Sequence, residues 1–193
     1  MLSVIIPTLD SERLLVPTLA ALVPGATDGL VSEVLLADGG SADDTATVAD
    51  VAGCKFISGD APLARRLRSA AGAARAPYLL FLRPGCILDA PWIGEVRRFL
   101  DQRAGAGERG RRAAAFRRDS SGQPAHRKVS WWLRARLGGL PQPEQGLLIA
   151  RVFYDALGGH AERASDPERE LVARIGRHRI VTLTTGAFEQ ILD

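Results

Sequence analysis

Glu33-Val34-Leu35-Leu36-Ala37-Asp38-Gly39-Gly40-Ser41 decides the fold. A short apolar run bounded by turn residues reads as a buried strand, and the Asp-Gly-Gly-Ser that stops it is a strand-to-helix turn. Ser41 and Asp44 have capping-box spacing, so a helix is expected from there to about Val51. Working outward, Ser3-Val4-Ile5-Ile6-Pro7 is a strand ended by proline. Residues 11–22 follow as a helix with Leu15, Leu19 and Leu22 on one face and Pro17 tolerable only in a first turn. Lys55-Phe56-Ile57-Ser58 is a third strand, 63–75 a helix, and Tyr78-Leu79-Leu80-Phe81-Leu82 a continuously apolar, central strand. Beyond it, Asp89 can cap a helix carrying Ile93, Val96 and Leu100. An edge strand at 113–116 breaks a Gly- and Arg-rich loop at about 103–128, and 129–137 forms a short helix. A strand at 146–150, helices at 152–157 and 167–177, and a strand at 179–184 complete the chain. Strand–helix alternation means an α/β fold with a mostly parallel sheet and helices on both faces. Chemistry in such sheets sits at the carboxyl ends of strands, here Pro7 to Asp10, Asp38 to Ser41, Gly59 to Asp60 and Arg83 to Cys86.

Composition narrows the classes. The 193 residues fit one domain, and 46% hydrophobic with 24% charged residues suits a protein that buries its own core. Two cysteines, Cys54 and Cys86, exclude a four-cysteine zinc site and argue against a disulfide framework. The N-terminus has no basic run ahead of its apolar stretch, and no stretch is long enough to span a bilayer, so a cytoplasmic protein is expected. Lys55 and Lys128 are the only lysines among 25 basic residues, and the rest are arginine. The net charge of +3 conceals net −7 over residues 1–60, +12 over 61–136 and −2 over 137–193. A basic middle points to an anionic partner.

The motif census is short. No Walker-type lysine loop and no G-x-G-x-x-G are present, which argues against a P-loop or a dinucleotide site. His126, His160 and His178 lack ligand spacing. Asp38 could accept hydrogen bonds from a nucleobase imide or a ribose hydroxyl, yet Asp-Gly-Gly-Ser is also plain turn chemistry, and the turn is the favoured reading. Cys54 reads as a small hydrophobe, whereas Cys86 sits at a strand end where its thiol is accessible. Trp131-Trp132-Leu133-Arg134-Ala135-Arg136 combines aromatic and basic residues, which suits peripheral membrane contact or stacking on a sugar, although burial of one Trp in the core is the more ordinary state.

Taken together and in order, Ser3 to Glu12 and Glu33 to Thr45 resemble the opening of glycosyltransferase family 2, in the bacterial branch with a D-G-G-S turn. Ala64-Arg65-Arg66-Leu67 resembles that branch's A-R-x-x-N-x-G-A helix, and Tyr78 to Leu82 its L-L-F-L strand. Pro143-Glu144-Gln145-Gly146-Leu147-Leu148-Ile149 is similar to its G-D-Q-G-I-F-V segment, and Ala156-Leu157-Gly158-Gly159 to its A-L-G-G-F. The resemblance implies a GT-A, Rossmann-like nucleotide-diphospho-sugar transferase fold as a single domain. Residues 1–89 would form the nucleotide-binding half and 90–193 the acceptor-side half. It implies a nucleotide-diphosphate sugar donor, most often a UDP-sugar, and an unspecified sugar, lipid or small-molecule acceptor. Pro7, Thr8 and Glu12 would line the nucleoside pocket, Asp38 would reach the base, and Arg65 would lie near the base or diphosphate. Substituting Asp38 by Ala is expected to remove nucleotide binding and leave the fold intact.

The sequence departs from that family at two places. The metal-binding D-x-D, which holds Mg²⁺ or Mn²⁺ against the diphosphate, is replaced by Arg83-Pro84-Gly85-Cys86, and hard cations need oxygen ligands. No metal site is therefore assigned. Either Arg83, with Arg65 and Arg68, neutralises the diphosphate without a metal, or the site has decayed and the chain only binds a nucleotide or a partner. Arg68 and Ala70, in place of the family's Asn and Gly, favour decay. The family's acidic pair at the start of a late helix, whose Asp deprotonates the acceptor in an inverting displacement, meets Asp166-Pro167-Glu168-Arg169-Glu170-Leu171. Glu168 falls nearest that Asp and Asp166 is the second candidate, while acidic residues in a first helical turn are also expected from the helix dipole alone. A nucleic-acid-binding module has charge in its favour but no recognisable motif, and ranks last.

Overall fold

The structure is a computed structural model that describes residues 1–102, 112–118 and 140–189. The first half supplies β1 (Leu2–Thr8), α1 (Glu12–Thr27), β2 (Val31–Asp38), α2 (Thr45–Val51), β3 (Lys55–Ser58), α3 (Leu63–Ala73) and β4 (Tyr78–Phe81). The second half supplies β5 (Cys86–Leu88), α4 (Trp92–Asp101), β6 (Ala113–Arg118), β7 (Leu147–Ala150), α5 (Arg151–Ala156), α6 (Pro167–Ile175) and β8 (Ile180–Glu189). All eight strands join one sheet in the order β3-β2-β1-β4-β7-β6-β8-β5.

β1 pairs in parallel with β2 on one side and with β4 on the other. The chain runs outward from β1 to β3 and then returns to start β4, so the strand order reverses between β1 and β4. A crevice opens at the carboxyl ends where such a reversal occurs. β7 runs antiparallel to β4, with Phe81 opposite Leu147. That pairing brings residues just before β7 to the same edge as residues just after β4.

Alternation along the strands feeds two cores. Val4, Ile6, Leu36 and Leu80 pack with Leu15 and Leu22 of α1, Ala49 of α2, and Trp92, Val96 and Phe99 of α4. Ile5, Leu35, Ala37, Leu79 and Phe81 pack with Leu67 and Ala70 of α3, Phe153 and Tyr154 of α5, and Leu171 and Ile175 of α6. Both faces of the central strands are dry, which is why they read as unbroken apolar runs.

Local details differ from the sequence expectations. Pro17 and Pro24 both lie inside α1, which runs on to Thr27 and is held by buried Leu15, Thr18, Leu22 and Gly25. Ser41 and Asp44 form no capping box: Ser41 turns to Asp38, and α2 starts at Thr45, whose N–H is taken by Asp43 Oδ1 at 3.0 Å. The Asp89 carboxylate accepts from Gly186 N at 3.0 Å instead of capping α4, whose Trp92 N–H goes to the Asp89 carbonyl at 3.0 Å. β5, only three residues long, is too short to show a period. The strand expected at an edge is interior: β6 lies between β7 and β8, and Ala113, Ala114, Ala115 and Phe116 are all fully buried. Three alanines give no amphipathic signal, so their burial was invisible. The helix at 129–137, the tryptophan segment, His126 and most of the basic loop lie outside the described residues.

Candidate functional site

At the β1–β4 reversal the loops after β1 and β2 are cross-linked by their own polar groups. Thr8 Oγ1 donates to Asp38 Oδ1 at 2.9 Å, Asp10 N to Ser41 Oγ at 2.9 Å, and Ala42 N to Asp10 Oδ1 at 2.7 Å. Ser11 N donates to Thr45 Oγ1 at 2.9 Å and Glu12 N to Asp43 Oδ2 at 3.0 Å. Asp38 is the hub. It is 1% exposed and accepts from Thr8, from the Ser41 hydroxyl, from Gly40 N and Ser41 N at 2.8 and 2.9 Å, and from Ser58 Oγ at 3.0 Å. Burial alone would raise its pKa, but the hydrogen bonds, led by those from Ser41, hold it down at about 2. A carboxylate has about four lone-pair sites, and all are engaged. In this arrangement Asp38 fills the turn role and shapes the floor of the crevice. Thr8 is buried beside it, and Pro7 and Glu12 are half-buried at the ends of β1 and α1.

The arginines of α3 divide. Arg66 points to the strand ends, donating from Nη1 to Thr8 O at 3.0 Å and Ala37 O at 2.7 Å, and from Nε to Ala61 O at 3.1 Å. Its guanidinium lies so close to Gly39 that a Cβ there would stand 3.0 Å from Cζ and press on the Arg66 side chain. Arg65 and Arg68, one turn apart, instead share one carboxylate, Glu162, at 3.2 and 3.5 Å. The sequence reading passed over Arg66 and Glu162, although Leu67 and Ala70 mark the inward face toward which Arg66 leans.

Arg83, which the resemblance sets at the position of a D-x-D, is committed to two carboxylates. Nε and Nη2 donate to Glu168 Oε2 at 2.9 and 2.5 Å, and Nη1 donates to Glu144 Oε1 at 3.1 Å. Burial opposes the Arg83 charge, but Glu168 and then Glu144 outweigh it and keep its pKa above the ordinary guanidinium value. Both Glu168 bonds fall on one oxygen, and Oε1 has no partner among the described residues. Glu168 is buried in the first turn of α6, whereas Asp166 is spent as the N-cap of that helix, accepting from Arg169 N at 3.0 Å. Glu144 was not singled out from the sequence: only the antiparallel β4–β7 pairing brings it opposite Arg83. The structure therefore unites Arg83, Glu144 and Glu168 at one place and Arg65, Arg68 and Glu162 at another.

The donor set at the D-x-D position does not fit a divalent cation. A guanidinium, which cannot ligate one, stands there and is itself ion-paired with both nearby acids. No group of three or more His, Cys, Asp or Glu residues among the described residues could hold a metal. Cys86, read as accessible, is buried with Sγ 3.6 Å from Glu144 O. Cys54 is half-buried and its thiol is pushed up to about 11 by that burial. His160 is buried behind the site, paired through Nδ1 with the Tyr154 hydroxyl at 2.8 Å.

A parallel half-sheet with a reversal crevice, continued by a mixed second half and covered by helices on both faces, is the GT-A glycosyltransferase fold. The chain belongs to glycosyl transferase family 2, whose sequence profile matches residues 3–150. Among solved structures it is similar to glucosyl-3-phosphoglycerate synthase from Mycobacterium tuberculosis, crystallised with Mn²⁺, uridine-diphosphate-glucose and phosphoglyceric acid. That match has a TM-score of 0.69 at 20% identity over 100% of this chain and 73% of that one. It is also similar to S. aureus TarS 1-349 in complex with UDP-GlcNAc, with a TM-score of 0.74 at 16% identity over 100% of this chain and 59% of that one. This chain thus spans about three-fifths of TarS 1-349. No curated protein sequence matches it. No described helix is long and apolar enough to cross a membrane.

Proposed function

We propose that the protein binds a nucleotide-diphosphate sugar, a UDP-sugar by preference, in the β1–β4 crevice and transfers the sugar to an acceptor hydroxyl with inversion and without a resident metal. The observation that carries this reading is Glu168: a buried carboxylate held by Arg83 through one oxygen, with the other unpartnered among the described residues. A general base must be fixed in place and keep a lone pair for the proton it removes. Arg83 supplies the fixing and Oε1 the lone pair. The acceptor hydroxyl gives its proton to Oε1 as its oxygen attacks the anomeric carbon, and the nucleoside diphosphate leaves from the opposite face. Charge building on the leaving group is met by arginine. The crevice floor, made by Asp38 and its donors, gives the nucleoside a rigid surface, with Pro7, Thr8 and Glu12 on its rim. The acceptor can be a sugar, a lipid or a small molecule.

A second reading rests on the same ion pair: a carboxylate tied to Arg83 in place of a metal cradle also suits a protein that binds a nucleotide or a partner and does not turn it over. Calorimetry with UDP, GDP and their sugars, with EDTA or with Mn²⁺, separates the readings when paired with a measurement of UDP release. The transferase reading expects UDP binding within about threefold with and without Mn²⁺, and a Glu168→Gln protein that keeps UDP affinity while losing roughly 10²–10⁴ in turnover. Binding without release against sugar, lipid and small-molecule acceptors establishes the second reading. Absence of binding by any nucleotide refutes the transferase reading and leaves of the second only its partner-binding form, and a strict need for Mn²⁺ refutes the metal-free claim.

A further inference from the structure

The two arginines that share Glu162 differ from every other arginine at the strand ends in how they are neutralised. Arg66 is absorbed by three carbonyls, and Arg83 by two carboxylates at a partly buried site. Arg65 and Arg68 present two guanidinium groups to a single carboxylate, so one unit of positive charge is left over. The side chains of Arg65, Arg68 and Glu162 are 63%, 49% and 42% exposed, which leaves these ion pairs open to displacement by a stronger anion. Their placement works against helix stability. Arg65, Arg66 and Arg68 crowd the first two turns of α3, which has no acidic residue in its first turn, although cations are disfavoured at the positive end of a helix. A group that brings negative charge to Arg65 and Arg68 relieves that repulsion.

We infer that Arg65 and Arg68 form a phosphoryl-binding site that Glu162 of the same chain occupies when no ligand is present. The carboxylate spans the two guanidinium groups as a bridging phosphoryl oxygen pair does, with weaker charge. The incoming anion displaces Glu162, and the 161–166 segment that carries it leads directly into the first turn of α6, where Glu168 stands. The inference deepens the nucleotide-sugar reading and is separable from it. A phosphoryl group reaches this site either as the diphosphate of the donor or as a phosphomonoester on the acceptor.

The test is calorimetric titration of the wild-type chain, Glu162→Gln and the Arg65→Gln/Arg68→Gln double variant with UDP, inorganic pyrophosphate and glycerol 3-phosphate at low and high salt. All three changes are exposed, and circular dichroism checks that the fold is kept. Glu162→Gln is expected to tighten the cognate anion about two- to fivefold at low salt, with the gain fading as salt screens exposed charge. The double arginine variant is expected to weaken it tenfold or more. A gain for UDP and pyrophosphate assigns the site to the donor diphosphate, and a gain for glycerol 3-phosphate alone assigns it to the acceptor. A gain for pyrophosphate in a chain that binds no UDP upholds this inference while the nucleotide reading falls. If Glu162→Gln leaves unchanged or weakens the affinities for UDP, pyrophosphate and glycerol 3-phosphate alike, the inference is overturned, and UDP binding that persists there leaves the nucleotide reading standing.

Discussion

Replacing Asp38 tests whether the crevice is built by its own loops before any ligand arrives. The side chain is 1% exposed and accepts from Thr8, Gly40, Ser41 and Ser58. Its pKa falls from 3.8 to about 2, which at 1.36 kcal/mol per unit favours the charged form in the folded state by about 2 kcal/mol. Asp38→Asn removes the charge and points an amide donor at groups that are themselves donors, so roughly 2–3 kcal/mol of stability should be lost at pH 7. For a chain of this size that is a fall in Tm of about 5–10 °C. The sign of the pH dependence follows from a depressed carboxylate: the contribution is complete above the unfolded-state pKa of about 4 and disappears as pH falls toward 2. Urea titrations followed by far-UV circular dichroism at pH 7, 4 and 2 give the wild-type-minus-variant difference. A difference below about 0.5 kcal/mol at pH 7, or one that does not shrink below pH 4, refutes the hub role. The geometry also revises the expectation that Asp38→Ala removes a ligand contact and spares the fold. Loss of nucleotide binding in that variant is interpretable only beside its stability.

Three further outcomes are expected. Glu95 accepts from the backbone and hydroxyl groups of Thr184 and Thr185, which outweigh its burial and hold its pKa at about 2. Glu95→Ala should therefore cost about 1–3 kcal/mol above pH 4.5 and little near pH 2 in denaturant titrations, because α4 loses its tie to β8. His160, neutral because burial and then Arg174 push its pKa down to about 3, makes unfolding easier as pH drops from 6.5 toward 3, since only the unfolded chain takes up the proton. His160→Gln should flatten that slope of thermal stability against pH whatever its effect on stability at pH 8. Gly25→Ala sets a Cβ 2.5 Å from the Trp92 ring and should lose about 1–3 kcal/mol with a changed Trp92 emission; unchanged stability would show that the α1–α4 contact is looser than its geometry.

The strands were legible because the central ones are apolar on both faces, and α1 because Leu15 and Leu22 return at helical spacing. Of the face expected for α4, Ile93, Val96 and Leu100, only Val96 is fully buried, beside Trp92 and Phe99. The places where reading failed share a cause. β5 has three residues, β6 is mostly alanine, and Ser41 was claimed by Asp38 before it could cap a helix. The two strands depend on partners distant in sequence, and Ser41 on a side-chain bond within its own turn, neither of which apolar periodicity encodes. The Asp38-Gly39-Gly40-Ser41 turn was legible as a turn, but not its bonds to Thr8 and Asp10.

Arginine position shows most sharply where local reading ends. Successive residues on a helix are about 100° apart, so Arg65 and Arg68 share an outward face while Arg66 leans to the sheet. That much could be read from Leu67 and Ala70. The fate of Arg83 could not, because its partners stand 61 and 85 residues away and reach it only through the antiparallel β4–β7 pairing and the start of α6. Glu144, Glu162 and Glu168 all come from the acidic 137–193 segment, and the arginines they meet come from the basic middle. The charge asymmetry along the chain is thus partly internal: each acid returns to an arginine that a ligand could otherwise use. Arg83 meets two carboxylates and keeps no positive charge to offer, so of these three arginines an anion can claim the pair that shares one carboxylate, Arg65 and Arg68.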